Sequence, residues 1–230
     1  MTITLYELTG RDTERPFSPH CWKTVMALAH KGLTYERSAV PFTEVPNVEN
    51  GIGKTVPVLR DGEHVVSDSF DIALYLDEAY PDRPTLFGGE GGVALSRFIE
   101  AWSATQISAT IFGALLLDIH SMLEPVDQDY FRRSREARLG KSLEDVVGAS
   151  PDKVKELANR LDPLRLMLKR QPFIGGDQPL FADYIVFGIL QWARICSPIQ
   201  LLQPDDQVTA WFERCLDLHG GVGRSVAAAA

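Results

Sequence analysis

Residues 88–93 read Gly-Gly-Glu-Gly-Gly-Val, and the chain changes character across them. Upstream, short runs rich in β-branched and aromatic residues alternate with helical patterns. Downstream there is no convincing strand, and apolar residues recur at helical spacing to the end of the chain. The 230 residues are enough for two small domains, each with a core. The pattern therefore predicts an α/β domain over residues 1–87, a linker over 88–93 and an all-helical domain over 94–230.

In the first part, TITLYEL has strand composition, and PHCWKTVMALAH (19–30) sets Trp22, Val25, Met26 and Ala29 at helical spacing before Lys31-Gly32 ends the pattern. TYERSAV predicts a second strand, and the short strand–helix–strand connection suits a parallel pair. VPVLRDGEHVV carries a hairpin signal at Asp61-Gly62. SDSFDIALYLDEAYPD opens on a Ser/Asp cap, puts Ile72, Tyr75, Leu76 and Ala79 on one face and stops at Pro81. Strand, helix, strand, hairpin, helix is the thioredoxin-like plan. Beyond the linker, helices are predicted over 93–120, 127–147, 150–170, 182–196 and 206–220. The fourth is apolar nearly all round, which assigns it to the middle of the bundle.

Composition narrows the partners. A net charge of −8 opposes binding to nucleic acid or to an anionic membrane. No apolar run approaches the roughly 20 residues that cross a bilayer, and MTITLYEL lacks the basic start of a signal peptide. Cys21, Cys196 and Cys215 are odd in number and far apart, so neither a disulfide framework nor a zinc site is expected, and a reducing cytoplasm fits. No metal-ligand cluster is evident.

Three short stretches carry chemistry. Ser18-Pro19 supplies a cap hydroxyl and a first-turn proline, and taken alone it reads as a helix cap. In a thioredoxin-like domain, however, the free N–H groups at this helix start stabilise a thiolate. Val56-Pro57 precedes the hairpin where this fold keeps a cis proline. There Val56 can offer its backbone N–H and C=O to an extended peptide, although a lone Val-Pro also suits an ordinary edge strand. Asp68-Ser69 presents a carboxylate and a hydroxyl beside free N–H groups, suited to an amino-acid head, or merely to a cap. A peptide with a thiol, a central backbone and an amino-acid head would satisfy all three, and glutathione has those parts.

These residues resemble the glutathione transferase family along nearly the whole chain. SPHCW with KTVMAL is similar to the family's first-helix signature, GKTVPVL to its proline motif, SDSFDIALYLDEAYPD to its γ-glutamyl motif and GGDQPLFADY to its second-domain capping motif. YFRRSREARLGKSLE and YPDRPTLFGG most resemble the serine-type branch that includes the bacterial and fungal β-etherase-related enzymes.

The resemblance implies glutathione as cosubstrate, with the Ser18 hydroxyl hydrogen-bonded to its sulfur. It implies that Val56 pairs with the cysteinyl backbone, that Pro57 is cis, that Asp68 and Ser69 hold the γ-glutamyl group and that Lys54 reaches the glycyl carboxylate. The reaction implied is attack on a small apolar electrophile, by addition or displacement and including aryl ether cleavage, with detoxification the general role. A carrier without turnover, or a glutathione-dependent isomerase or reductase, remains open. A homodimer is also implied.

Two positions depart from the family pattern. Leu180 stands three residues before Asp183 where Ser or Thr is usual, so half of that cap is in doubt. Cys21 matches only the second thiol of a C-x-x-C pair and reads as a buried structural thiol. His20, Trp22, Trp102, Gln106 and Ile107 are candidates for facing a cleft, but each reads more readily as ordinary core or surface and receives no role.

Overall fold

The computed structural model describes residues 2–230. Strand β1 (Ile3–Leu8) leads to helix α1 (Pro19–His30) and strand β2 (Tyr35–Val40), then to the hairpin β3 (Val58–Asp61) and β4 (His64–Ser67), and to helix α2 (Ser69–Ala79). The sheet order is β2-β1-β3-β4. β1 runs parallel to β2, from Ile3 opposite Tyr35 to Leu8 opposite Val40, and antiparallel to β3. The thioredoxin-like plan expected from the element order is therefore present.

Local chemistry sets the element ends. α1 stops at Lys31, with Gly32 following at φ 64. The hairpin turns on Gly62-Glu63, one position later than the Asp-Gly signal suggested, because Asp61 still pairs with His64 and Gly62 takes φ 59.

The linker is shorter than its glycines suggested. Only Gly88 and Gly89, at φ 67 and 110, lie outside helix, and α3 (Glu90–Ser103) has already begun at Glu90. Gly92 belongs to its first turn, where a Cβ would come within 1.6 Å of the Phe87 carbonyl oxygen. Close approach explains that glycine.

The helix predicted over 93–120 is broken. After α3 come a π turn (Ala104–Ser108), α4 (Ala109–Ile111), a 3-10 turn (Phe112–Leu115) and α5 (Leu116–Met122). The Thr105 and Thr110 hydroxyls donate back to the carbonyls of Ala101 and Gln106, which loosens the ladder. At Gly113 a Cβ would sit 2.6 Å from Ser150 Oγ.

The predicted 127–147 helix divides at Gly140, φ 67, into α6 (Pro125–Leu139) and α7 (Leu143–Gly148). The next divides before Pro163 into α8 (Ser150–Arg160) and α9 (Asp162–Leu168), since proline starts a helix better than it continues one.

Contrary to the sequence expectation, the helical run Glu90–Met122 is long and apolar enough to cross a membrane by length and composition, with hydropathy 1.2 over its best window. Much of its apolar side is taken up inside the protein, where Ile107, Ile111, Leu115 and Leu116 are fully buried.

α10 (Phe181–Cys196) is buried along nearly its whole length, as its all-round apolarity predicts, and α11 (Gln207–Gly221) closes the bundle. α10 packs against both α1 and α3, joining the two domains. The approach to α1 depends on Gly188, where a Cβ would lie 2.4 Å from the Pro19 carbonyl oxygen. Gly188→Ala is therefore expected to cost about 1–3 kcal/mol. A lower urea midpoint at unchanged slope checks it.

Candidate active site

Ser18 is held between the end of β1 and the start of α1. The Phe17 N–H donates to the Leu8 carbonyl at 3.2 Å and the Trp22 N–H to the Ser18 carbonyl at 3.1 Å. The buried Trp22 indole N–H donates to the Pro16 carbonyl at 3.0 Å and fixes the preceding turn. Ser18 Oγ accepts the Cys21 N–H at 3.4 Å, a long cap bond. Among the described residues its own hydroxyl proton has no acceptor.

Ser18, Lys54 and Val56 line one cavity of about 320 Å³. The Val56–Pro57 peptide is cis, and no protein group among the described residues pairs with the Val56 backbone N–H or C=O. Lys54 is exposed and forms no ion pair among the described residues.

The loop over residues 42–53 builds one wall and is tied at both ends. Glu49, at φ 47, accepts from the Tyr6 hydroxyl and the Arg60 guanidinium. The buried Asp127 carboxylate of α6 accepts the backbone N–H groups of Phe42 at 3.1 Å and Thr43 at 2.9 Å. That bond pair brings the helical domain to the cavity.

Asp68 and Ser69 lie beside the cavity and are not part of its wall. Asp68, at φ 76, accepts the N–H groups of Phe70 at 2.8 Å and Asp71 at 3.3 Å. The buried Ser69 Oγ has no hydrogen-bond partner among the described residues, which is costly unless something else supplies one. His20 connects the two places, standing on the cavity rim with much of its ring open to solvent. The surrounding protein and then the Lys23 charge lower its pKa, while the Asp68 carboxylate acts in the opposite direction.

The far wall was not foreseen. Tyr130, Arg135 and Arg138 of α6 complete the cavity. They fall within the YFRRSREARLGKSLE stretch, whose charge pattern does not reveal which arginines lack a partner.

The other cleft candidates lie elsewhere. Ile107 is fully buried, while Trp102 and Gln106 face a separate hollow beside Arg160, whose guanidinium donates to Gln106 Oε1 at 2.8 Å. All three cysteines are buried. Burial, followed by the Glu7 charge, pushes the Cys21 thiol up to about 12, so it is not a thiolate at neutral pH. No group that could hold a metal occurs among the described residues.

Asp183 holds the second domain's cap. Its carboxylate accepts from Ile174, Gly175 and Leu180 N–H and from the Trp211 indole at 2.7, 2.9, 3.1 and 2.9 Å. Leu180 supplies no side-chain bond, as expected. Its main-chain carbonyl accepts the Asp183 N–H instead.

Residues 94–217 match the family described as "Glutathione S-transferase, C-terminal domain", and residues 13–84 match "Glutathione S-transferase, N-terminal domain". The chain belongs to the glutathione S-transferase family. It is 26% identical over 210 residues to the glutathione S-transferase-like protein ustS of Aspergillus flavus, spanning 79% of this chain and 76% of that one. It is 44% identical to glutathione S-transferase Z1 of Arabidopsis thaliana over 66 residues, 26% of this chain and 30% of that one. Among solved structures, glutathione transferase GSTFuA3 from Phanerochaete chrysosporium superposes with a TM-score of 0.77 at 28% identity, covering 96% of this chain and 93% of that one. The glutathione S-transferase CsGST63524 of Ceriporiopsis subvermispora, solved in complex with glutathione, shares the fold with a TM-score of 0.80 at 23% identity, covering 96% of this chain and 98% of that one.

Proposed function

We propose that this protein is a serine-type glutathione transferase in which Ser18 donates its hydroxyl proton to the cosubstrate's sulfur. One observation carries the reading: around one end of the sheet the Ser18 hydroxyl proton, the Val56 backbone groups, the Ser69 hydroxyl and the Lys54 ammonium have no protein partners among the described residues, and together with the Asp68 carboxylate they match the parts of glutathione. Ser18 faces the thiolate and Val56 pairs with the cysteinyl backbone beside Pro57. Asp68 and Ser69 take the γ-glutamyl amine and carboxylate, with the Ser69 hydroxyl re-aimed by rotation about one bond. Lys54 takes the glycyl carboxylate. In this division of labour residues 1–87 hold glutathione and residues 94–230 help shape the electrophile's pocket.

The energetics are sufficient. A free thiol titrates near about 8.5, and making it mostly thiolate at neutral pH needs a shift of about two units, or roughly 2.7 kcal/mol. A hydrogen bond to a charged group supplies about 1.5–3 kcal/mol and a helix start about 0.3–2 kcal/mol. The sulfur then forms a bond to the electrophilic carbon, by addition or with loss of a leaving group.

Aryl ether cleavage follows only if the resemblance to the β-etherase-related branch extends to substrate. One of the stretches carrying that resemblance is the α6 segment that walls the cavity. Pairing with a second copy, as in the family, belongs to the same reading. A Cys21-centred reductase or isomerase is disfavoured by the buried thiol. A carrier is separated from an enzyme by retention on immobilised glutathione together with a conjugation assay.

Titrating the thiolate ultraviolet absorbance of bound glutathione tests the proposal. The bound thiol is expected to be about two pKa units more acidic than in buffer, and an unshifted thiol overturns the mechanism.

A further inference from the structure

Among the described residues, eight arginines form ion pairs with carboxylates, among them Arg132 on α6, which is paired with Glu136 and Glu144. Three others on the same helix lack a carboxylate partner among the described residues, and of these the exposed Arg133 donates only to the Asp129 main-chain carbonyl. Arg135 and Arg138 both line the Ser18 cavity, and neither has a carboxylate partner among the described residues, in a chain carrying 31 acidic against 23 basic residues. Among the described residues Arg135 donates one hydrogen bond, to Ser134 Oγ at 3.1 Å, and its buried Nε has no partner.

Both side chains are nevertheless held in place by aromatic faces. The Arg135 guanidinium lies 4.6 Å from the Phe131 ring and 5.4 Å from Phe42, and that of Arg138 lies 4.8 Å from Phe112. Burial and the neighbouring Arg138 charge lower the Arg135 pKa, so two cations share a site that an anion would relieve. Stacked, unpaired guanidiniums of this kind suit bidentate capture of a carboxylate.

We propose that Arg135 and Arg138 form an anion-recognition wall, and that the electrophile this protein conjugates carries a carboxylate as well as an apolar body. The inference rests on the transferase reading above and identifies its substrate class. Lys54, Asp68 and Ser69 already match the ends of glutathione, which leaves the α6 pair for the second substrate. The apolar body lies against Phe42 and Val45, which share the cavity.

The probes are a para-chloro-dinitrobenzoate and its methyl ester, which differ in charge. In either one the glutathione sulfur bonds to the ring carbon, chloride leaves with the electron pair of the broken bond, and the thiol proton passes to solvent. Each enzymatic kcat/KM is divided by that probe's uncatalysed rate constant with glutathione. The wild type is expected to prefer the acid by about tenfold or more, the worth of one charged hydrogen bond. In Arg135→Ala and Arg138→Ala that ratio falls toward one with KM for glutathione little changed, and Arg135→Lys recovers part of it. A wild type that does not prefer the acid overturns the wall. So does an unchanged ratio with a raised KM for glutathione, which would assign the arginines to the cosubstrate.

Calorimetric titration with dinitrobenzoate and its methyl ester, which lack the leaving group, repeats the comparison without glutathione. Tighter binding of the acid that Arg135→Ala abolishes supports the wall even if no conjugation occurs, a result that would sink only the transferase reading. Equal binding of acid and ester overturns the wall.

Discussion

Ser18→Ala is expected to lower kcat for conjugation at neutral pH by about tenfold to a hundredfold while KM for glutathione stays within about threefold. The asymmetry follows from what the hydroxyl touches. On the proposed reading, backbone groups at Val56 and the α2 start bind glutathione whether or not its sulfur is ionised, so their contribution survives the substitution. The proposed Ser18 bond is made to the charged form alone and is worth about 1.5–3 kcal/mol, or about one to two pKa units.

The pH profile separates this cause from general damage. Because kcat reports groups in the bound complex, its acidic limb should move to higher pH in the variant by the same one to two units. At alkaline pH, where the thiol ionises unaided, wild type and variant should converge. A uniform loss at every pH would instead indicate misplacement of the substrate. The substitution also removes the cap bond to Cys21 N–H, at 3.4 Å already long. A stability loss of about 1 kcal/mol at most is expected from that, too small to unfold the protein under assay conditions.

Legibility followed the range of the forces involved. The first domain was readable because each boundary is set by neighbours in sequence: Gly32 after α1, Asp68 ahead of α2, Gly62 in the hairpin. Ser18, Lys54 and Val56 line one cavity because the strand–helix order fixes their positions relative to the sheet.

Gly140 and Pro163 were local signals that split two predicted helices, and the remaining failures are non-local. Nothing near Gly113 in sequence announces that Ser150 will press against it, so the break after α4 was invisible. Trp102 and Gln106 were cleft candidates left without a role, and Arg160 holds Gln106 on another face. Arg132, Arg135 and Arg138 look alike in sequence. Only the fold gives the first its two glutamates and leaves the others facing a cavity that Asp127 has drawn against their helix.

Asp183→Asn should be the most destabilising single exchange considered, by about 3–5 kcal/mol, though it lies outside the cavity. Each carboxylate oxygen of Asp183 receives two N–H donors, Oδ1 from Ile174 and Trp211 and Oδ2 from Gly175 and Leu180. Burial raises the pKa of this carboxyl and the four donors oppose that shift, since none of them can accept a bond from an added proton. Asparagine presents one acceptor oxygen and an amide that is itself a donor. Whichever way it turns, two buried N–H groups face another N–H, and each lost bond to a charged acceptor costs about 1.5–3 kcal/mol. Leu180 cannot compensate, having no hydroxyl to complete the cap. For a chain of this size each kcal/mol lowers the melting temperature by about 2–4 °C, so a fall of roughly 10 °C or more is expected. Activity per folded molecule should hold, because Asp183 touches nothing in the Ser18 cavity. A variant that melts within about 2 °C of wild type would mean the loop at 174–180 closes without the aspartate, and the capping role assigned to Asp183 would be wrong.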